Sequence, residues 1–239
     1  MKAFLLFIIP FLLAFVAVAQ KDMHYFKDGQ DKMEEGKFEE AKKIFSEGIE
    51  KKAFNQKTLT FGRAFANYRL NNFEESIEDL KIIIAEDAYY SDAYWLMGRI
   101  YYEQGKKWKA LRQYNKAIKT QANSYLYSNL GLLKLKMNRE KAALKDFDYA
   151  LRLDDENPYA YSNRALLYIK QGRFDLASKD IETSMLLDSS NPFVYKHKGL
   201  MMLKVNNTES ACECFHKAIE LGYRKYDDEV DQLLKEHCK

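Results

Sequence analysis

Cys212, Cys214 and His216 form the pattern in this chain that comes nearest to a metal-binding motif. Thiolate and imidazole groups are typical zinc ligands. On a helix, however, alternate residues point to different sides, so a helical segment cannot aim these three groups at one ion. Two acidic runs, Asp154–Glu156 and Asp227–Glu229, also lack the spacing of a calcium-binding loop. We therefore predict that the protein uses no metal and no cofactor.

Motifs for catalysis and for nucleic-acid binding are also missing from the sequence. None of the four histidines has a neighbour that would activate it, and there is no glycine-rich phosphate loop or nucleophile elbow. The chain has 38 basic and 35 acidic residues, a formal net charge of +3. This near balance gives no electrostatic case for nucleic acid. We predict that the protein is not an enzyme and binds neither nucleic acid nor a small-molecule substrate.

Residues 1–19 have the composition of a secretory signal peptide. Lys2 supplies the positive charge, Ala3–Val16 is the apolar run, and a small-x-small cleavage pattern ends at Ala19. The run is short for a membrane span and is interrupted by Pro10. We expect cleavage after Ala19 and a periplasmic or secreted protein. An uncleaved membrane anchor is the alternative.

The three cysteines lie close to the C-terminus. Cys238 can form a disulfide with Cys212 or with Cys214 if the last helix folds back, and the bond would secure the end of the chain. The alternative is that the cysteines are small core residues and that a free thiol remains. Both interpretations are open at this point.

The stretch Asn157–Pro192 shows which elements must position any functional side chain. Its apolar pattern predicts helices over residues 158–170 and 174–187, with Asn157 as the N-cap and Pro158 in the first helical position. Gly172 can adopt the positive φ that ends the first helix. A helix pair this short cannot bury its apolar face alone, so it needs similar neighbours.

The rest of the chain supplies these neighbours, because the same positions recur at intervals of 33 to 35 residues. The small residue of the first helix recurs as Gly29, Ala64, Gly98, Gly131, Ala165 and Gly199. The small residue of the second helix recurs as Ala41, Ser76, Ala110, Ala143, Ala177 and Ala211. A bulky residue follows it as Phe45, Leu80, Tyr114, Phe147, Ile181 and Phe215. The turn position is Gly36, Asn71, Gly105, Asn138, Gly172 or Asn206, all types that tolerate the left-handed conformation.

With these ladders the chain resembles the tetratricopeptide repeat proteins, whose unit is a helix-turn-helix of about 34 residues. The third unit carries the motif as Tyr94-x-x-Met97-Gly98-x-x-Tyr101 followed by Ala110-x-x-x-Tyr114. The resemblance implies an all-α fold, a right-handed α-solenoid in one domain over residues 20–239. Its repeats would be 22–56, 57–90, 91–123, 124–157, 158–191 and 192–225, with a capping helix over 226–239 that closes the apolar end.

The resemblance also implies a concave groove lined by the first helix of each pair. Its aromatic part would consist of Phe61, Phe65, Tyr68, Trp95, Arg99 and Tyr102. The same face continues as Ser128, Leu132, Leu135, Ser162, Leu166, Ile169, Lys196, Leu200 and Leu203. Lys136, Lys170 and Lys204 occupy equivalent positions and would form a basic ladder along one rim. Two plainer interpretations stay open: the aromatics as core residues, and the lysines as an ordinary solvated rim.

Our leading hypothesis is an exported interaction scaffold that binds a protein or peptide in this groove. The basic ladder favours a partner with an acidic segment, and Trp95 and Arg99 are the residue types that most often dominate interfaces. The alternative is a structural subunit of a cell-envelope complex that self-associates or stacks end to end. A capping helix at the C-terminus would block such stacking.

Overall fold

The computed structural model describes residues 24–53, 55–223 and 229–238. The predicted signal peptide, residues 1–19, lies outside these ranges. The described residues contain helices and no strand, so the predicted all-α fold is confirmed. The helices are α1 (24–34), α2 (Phe38–Glu50), α3 (Gln56–Arg69), α4 (Phe73–Glu86), α5 (Ser91–Glu103), α6 (Lys107–Thr120), α7 (Ser124–Lys136), α8 (Glu140–Leu153), α9 (Pro158–Lys170), α10 (Phe174–Leu187), α11 (Pro192–Lys204), α12 (Thr208–Glu220) and α13 (Glu229–His237). Across the described ranges, none of them combines the length and apolar character that a bilayer crossing requires.

The turn inside every helix pair has the same backbone conformation. A residue with φ between 59° and 75° ends the first helix of each pair, and these residues are Gly36, Asn71, Gly105, Asn138, Gly172 and Asn206. Glycine and asparagine enter this left-handed region at the lowest cost. The predicted turn chemistry is confirmed at all six positions.

The starts of α9 and α11 show how the sequence sets a helix boundary. The Asn157 side chain accepts hydrogen bonds from the backbone N–H groups of Tyr159 and Ala160, at 3.0 and 3.1 Å. Pro158 follows at the first helical position, where a missing N–H leaves no bond unmade. Asn191 and Pro192 repeat this arrangement at the start of α11. The predicted cap, and both helix ranges predicted for this stretch, are confirmed.

The two helices of a pair cross where a small residue on the first meets a bulky residue on the second. A Cβ atom at Gly131 would lie 2.6 Å from the ring of Phe147, and one at Gly98 would lie 2.6 Å from the ring of Tyr114. Gly29 and Gly199 likewise face phenylalanine rings. Where the first helix has alanine instead, the bulky position holds an aliphatic residue: Ala64 goes with Leu80, and Ala165 goes with Ile181. Glycine is therefore required where the opposite side chain is an aromatic ring.

The chain divides into two compact units, which we call unit 1 (residues up to Thr120) and unit 2 (residues from Gln121). Helices α1–α6 belong to unit 1 and α7–α13 to unit 2. The core of unit 1 includes fully buried aliphatic residues of α4 and α5, such as Leu80 and Ile100. The core of unit 2 includes Phe147, Leu167 and Phe215. A single domain over residues 20–239 stays a prediction.

Helix α13 packs at the end of unit 2 and is fastened at both ends. At its start, the Glu229 carboxylate forms a 2.7 Å ion pair with the buried Lys196 on α11. Just beyond its last residue, Cys238 forms a disulfide with Cys212 on α12, with a Cα–Cα distance of 5.7 Å. Cys214 is a buried free thiol. Of the two disulfide pairings considered, the structure has the one with Cys212. The described helix covers Glu229–His237 of the predicted 226–239, and residues 226–228 lie outside the described ranges.

Candidate functional site

Unit 2 contains a groove of about 670 Å³, which we call the lysine groove. Its walls come from the first helices of three successive pairs, α7, α9 and α11, together with α13. The lining residues are Leu135, Lys136, Asn138, Leu166, Ile169, Lys170, Leu200, Leu203, Lys204, Leu233 and His237. An apolar floor and a basic rim thus lie side by side.

The floor of the lysine groove consists of aliphatic side chains at helical spacing. Leu135 and Ile169 are only 4% and 5% exposed, so they belong to the core and only a small part of each side chain lines the groove. Leu166, Leu200 and Leu203 are half-buried and present more of their surface. Partly exposed aliphatic side chains in a concave surface favour an apolar ligand group.

The rim contains the three lysines of the predicted ladder, and the structure brings them to one groove. Lys136, Lys170 and Lys204 are the last residues of α7, α9 and α11, and all three are exposed. Lysine at a helix C-terminus offsets the partial negative charge there. Lys170 also lies 3.2 Å from a carboxylate oxygen of Glu140 and donates a 2.8 Å hydrogen bond to Asn138. The lysines therefore have a structural role as well as access to the groove.

Helix α13 supplies the remaining wall through Leu233 and His237. The sequence predicted a cap in this region but did not place it against the groove. The cysteines carried part of the signal, because a bond between Cys238 and Cys212 requires the last helix to fold back beside α12. Lys196 adds a second fastening, and it lowers the pKa of Glu229 although burial of that carboxyl acts in the opposite direction.

Three residues expected in the groove are buried beneath it, so that part of the prediction was wrong. Ser128, Ser162 and Lys196 are 2%, 0% and 5% exposed. Each is hydrogen-bonded to a residue 27 to 35 positions further along the chain, and the contacts are Asn163 to Ser128 at 3.0 Å, Ser162 to His197 at 2.9 Å and Lys196 to Tyr223 at 2.8 Å. These hydrogen bonds satisfy polar groups that would otherwise be costly to bury. Burial, and then the charge of Lys196, hold the pKa of His197 well below 6.5.

The predicted aromatic residues of unit 1 lie together on α3 and α5, and all are half-buried. The rings of Phe65 and Trp95 stack with centroids 6.4 Å apart at an interplanar angle of 21°. The ring centroids of Phe61 and Tyr90 lie 5.6 Å apart. Phe61, Phe65, Tyr68 and Trp95 all pack against the core of unit 1. This stripe thus contributes to packing between adjacent pairs and leaves only part of each ring accessible.

A polar triad lies at the end of the aromatic stripe. Tyr68 donates a hydrogen bond to Glu103, while Arg99 donates to the Tyr68 oxygen at 3.0 Å and to Glu103 at 3.2 Å. Burial raises the pKa of Tyr68 to about 12, although Arg99 acts in the opposite direction. Tyr102, the residue before Glu103, is half-buried. Since Arg99 is already paired, an incoming carboxylate would have to compete with Glu103 for it.

The Cys212, Cys214 and His216 pattern does not form a metal centre. Cys212 is bonded to Cys238, so it is not available as a ligand. Among the described residues, no group of three ligating side chains could hold a metal ion.

Comparison with known proteins identifies the repeat. The profile of the family described as Tetratricopeptide repeat matches residues 61–125 and 128–182, half of the chain. The chain belongs to the tetratricopeptide repeat family. Proteins with this fold are protein–protein interaction scaffolds, and in general they are not enzymes. No curated protein sequence matches the chain.

Solved structures with the same fold include several tetratricopeptide repeat proteins. The structure of Pseudomonas aeruginosa PilF superimposes with a TM-score of 0.66 at 17% sequence identity, over 92% of this chain and 99% of that one. Cut9 with Hcn1, from a hetero-tetramer of the APC/C, gives 0.72 at 16% identity, over 91% of this chain and 43% of that one. YrrB, described as having an unusual peptide-binding site, gives 0.50 at 20% identity, over 80% and 97%. At these identities the likeness concerns the fold.

Proposed function

We propose that this tetratricopeptide repeat protein is an exported scaffold that holds a protein or peptide segment in its lysine groove. The observation that carries the proposal is the placement of Lys136, Lys170 and Lys204 around one aliphatic floor. Apolar side chains of the partner would cover Leu166 and Leu200, and its carboxylates would meet the lysines. The partner is therefore expected to contain an acidic and apolar segment.

Three features support a peptide-like ligand. The groove is long enough to receive contributions from α7, α9 and α11, which suits an extended chain better than a compact molecule. Its fourth wall, α13, is fastened at both ends, so little conformational freedom is lost on binding. A peptide is also a known ligand of this fold, since YrrB is described as having a peptide-binding site.

Export is part of the proposal and rests on two observations. The apolar run Ala3–Val16 followed by a cleavage pattern at Ala19 has the form of a signal peptide. The disulfide between Cys212 and Cys238 is of the kind that persists in oxidising compartments. We therefore propose that the mature protein is periplasmic or secreted.

The aromatic stripe of unit 1 is proposed as a second contact surface. Trp95 and Arg99 remain its best individual candidates, because tryptophan and arginine contribute most often to binding energy. The surface is less open than the lysine groove, since Trp95 stacks on Phe65 and Arg99 pairs with Glu103.

The test uses short fluorescent peptides and measures binding by anisotropy. One peptide alternates leucine and glutamate, a second alternates leucine and lysine, and a third alternates serine and glutamate. We expect the first to bind best, and Leu166→Glu or Lys204→Glu to weaken its binding by about ten-fold. Lys145→Glu is the matched control, because it makes the same charge change on an exposed position of α8 outside the groove.

Two outcomes would contradict the groove assignment. One is equal binding of the three peptides, which would show that the floor and the rim do not select. The other is unchanged affinity in the correctly folded Leu166→Glu and Lys204→Glu variants. Loss of binding in Trp95→Ala and Arg99→Ala, with those two groove variants unaffected, would assign binding to unit 1 instead.

A further inference from the structure

Helix α6 of unit 1 concentrates positive charge in a chain that is nearly neutral overall. No aspartate or glutamate occurs between Glu103 and Glu140. Over the same helix and the residue before it stand Lys106, Lys107, Lys109, Arg112, Lys116 and Lys119. The even balance of the total charge therefore conceals a strongly basic helix.

The outer face of α6 also exposes a tryptophan. Trp108 is 64% exposed, and it shares a helical stripe with Arg112 and Lys119. A shallow depression of about 440 Å³ lies along this face and is lined by α6 residues alone. The equivalent positions in the other pairs hold charged residues: Glu39, Glu74, Lys141, Asp175 and Glu209. A large exposed aromatic side chain among cations is a common mark of an interface.

Helix α4, the corresponding helix one repeat earlier in unit 1, has the opposite charge on its outer face. Glu74, Glu75 and Glu78 are exposed there, together with a single exposed cation of this helix, Lys81, and with Ile82, which is 51% exposed. The repeat interval of 34 residues aligns Glu74 with Trp108 and Glu78 with Arg112. None of these three charged residues, Glu74, Glu78 and Arg112, makes an ion pair within the described part of the chain.

We propose that the outer faces of α4 and α6 form a self-complementary surface on which a second copy of this chain docks. A two-fold axis lying between the two helices places α6 of each copy on α4 of the other, so each contact is made twice. Arg112 then meets Glu78 of the second copy, and Trp108 and Ile82 supply apolar area.

A second copy fits this surface better than a foreign polyanion does. Nucleic acid or an anionic membrane would be attracted by α6, but the glutamates of α4, the equivalent helix one repeat earlier, would repel it. A two-fold dimer uses both charges at once. The surface is distinct from the lysine groove, and dimerisation through unit 1 would give a scaffold with two grooves.

The test measures the dissociation constant of the dimer by sedimentation velocity of the whole protein, with charge reversals. Arg112→Glu and Glu78→Arg should each weaken self-association by about ten-fold or more, because each creates two like-charge contacts. An equimolar mixture of the two variants should dimerise nearly as well as the parent, since both contacts again join opposite charges. Lys145→Glu, at the position equivalent to Arg112 in α8, should leave the dissociation constant unchanged.

Several results would overturn the proposal. A monomer at every concentration tested, or a dimer that both reversals leave unchanged, would exclude this interface. Failure of the mixture to restore the dimer would show that α4 and α6 do not meet each other. A monomer that instead co-sediments with vesicles of anionic phospholipid would assign the α6 face to membranes.

Discussion

A single methyl group added at Gly131 tests the pairing of glycine with an aromatic ring inside the helix pairs. Its Cβ would lie 2.6 Å from Phe147 Cε1, and ordinary contact begins at 3.4 Å, so the ring must move by 3.4 − 2.6 = 0.8 Å. Phe147 is fully buried, so a shift of its ring must displace the side chains packed around it. Overpacking of this kind costs about 1–3 kcal/mol, while alanine gains about 1 kcal/mol over glycine as a helix former. We expect Gly131→Ala to lower the free energy of unfolding by up to about 2 kcal/mol.

The assay is urea denaturation followed by circular dichroism, in a double-mutant cycle with Phe147→Ile. The double variant reproduces the Ala165 and Ile181 pair of the next repeat, so alanine should fit there. Phe147→Ile alone is destabilising because it leaves unfilled volume. The combined loss should be smaller than the sum of the single losses by about 1–3 kcal/mol, the overpacking cost that the smaller side chain removes. Additive losses in the double-mutant cycle, or a Gly131→Ala variant more stable than the parent, would refute the steric explanation.

The pH dependence of stability and the disulfide give three further tests. The pKa of folded His197 is held well below 6.5. The stability that neutral His197 contributes to the fold is therefore fully present above pH 6.5 and is lost as the pH falls. His197→Gln should flatten this acid slope in urea titrations, and an unchanged slope would contradict its origin. Folding raises the pKa of Tyr68 from 10.0 to about 12, so the free energy of unfolding of the protein should fall as the pH rises between these two values. The Tyr68→Phe variant should not show this fall. The Cys212→Ser and Cys238→Ser double variant should lose about 3.5 kcal/mol, from loop closure over a separation of 26 residues. Equal denaturation midpoints would exclude that contribution.

The repeat made much of the fold predictable, because each rule appears several times in one chain. Glycine or asparagine at every turn and a small residue at every crossing indicate the same helix pair. The burial of Ser128, Ser162 and Lys196 could not be predicted in this way. Spacing along one helix shows which residues share a face, but it does not show whether a neighbouring helix will cover them and supply a hydrogen-bond partner.

The candidate surfaces were predictable to different degrees. Lys136, Lys170 and Lys204 stand at equal repeat positions, so their placement on one rim follows from the period. The contribution of α13 to the groove depends on how the chain folds back, which no periodicity encodes. The basic face around Trp108 and Arg112 is visible in the sequence as a long stretch without acidic residues, but a total of charges over the whole chain averages it away.

The fastening of α13 has a consequence for the way in which unit 2 opens. The terminal pair of a repeat array has a neighbour on one side only, and chain ends are usually the first parts to fray. Here Cys238 ties the last helix to Cys212, so α13 can lift away only as far as the covalent loop allows. Amide protons of α12 and α13 should therefore exchange slowly until the disulfide is reduced. The disulfide therefore makes the opening of this wall of the groove dependent on the redox state, and a thiol reductant would release it.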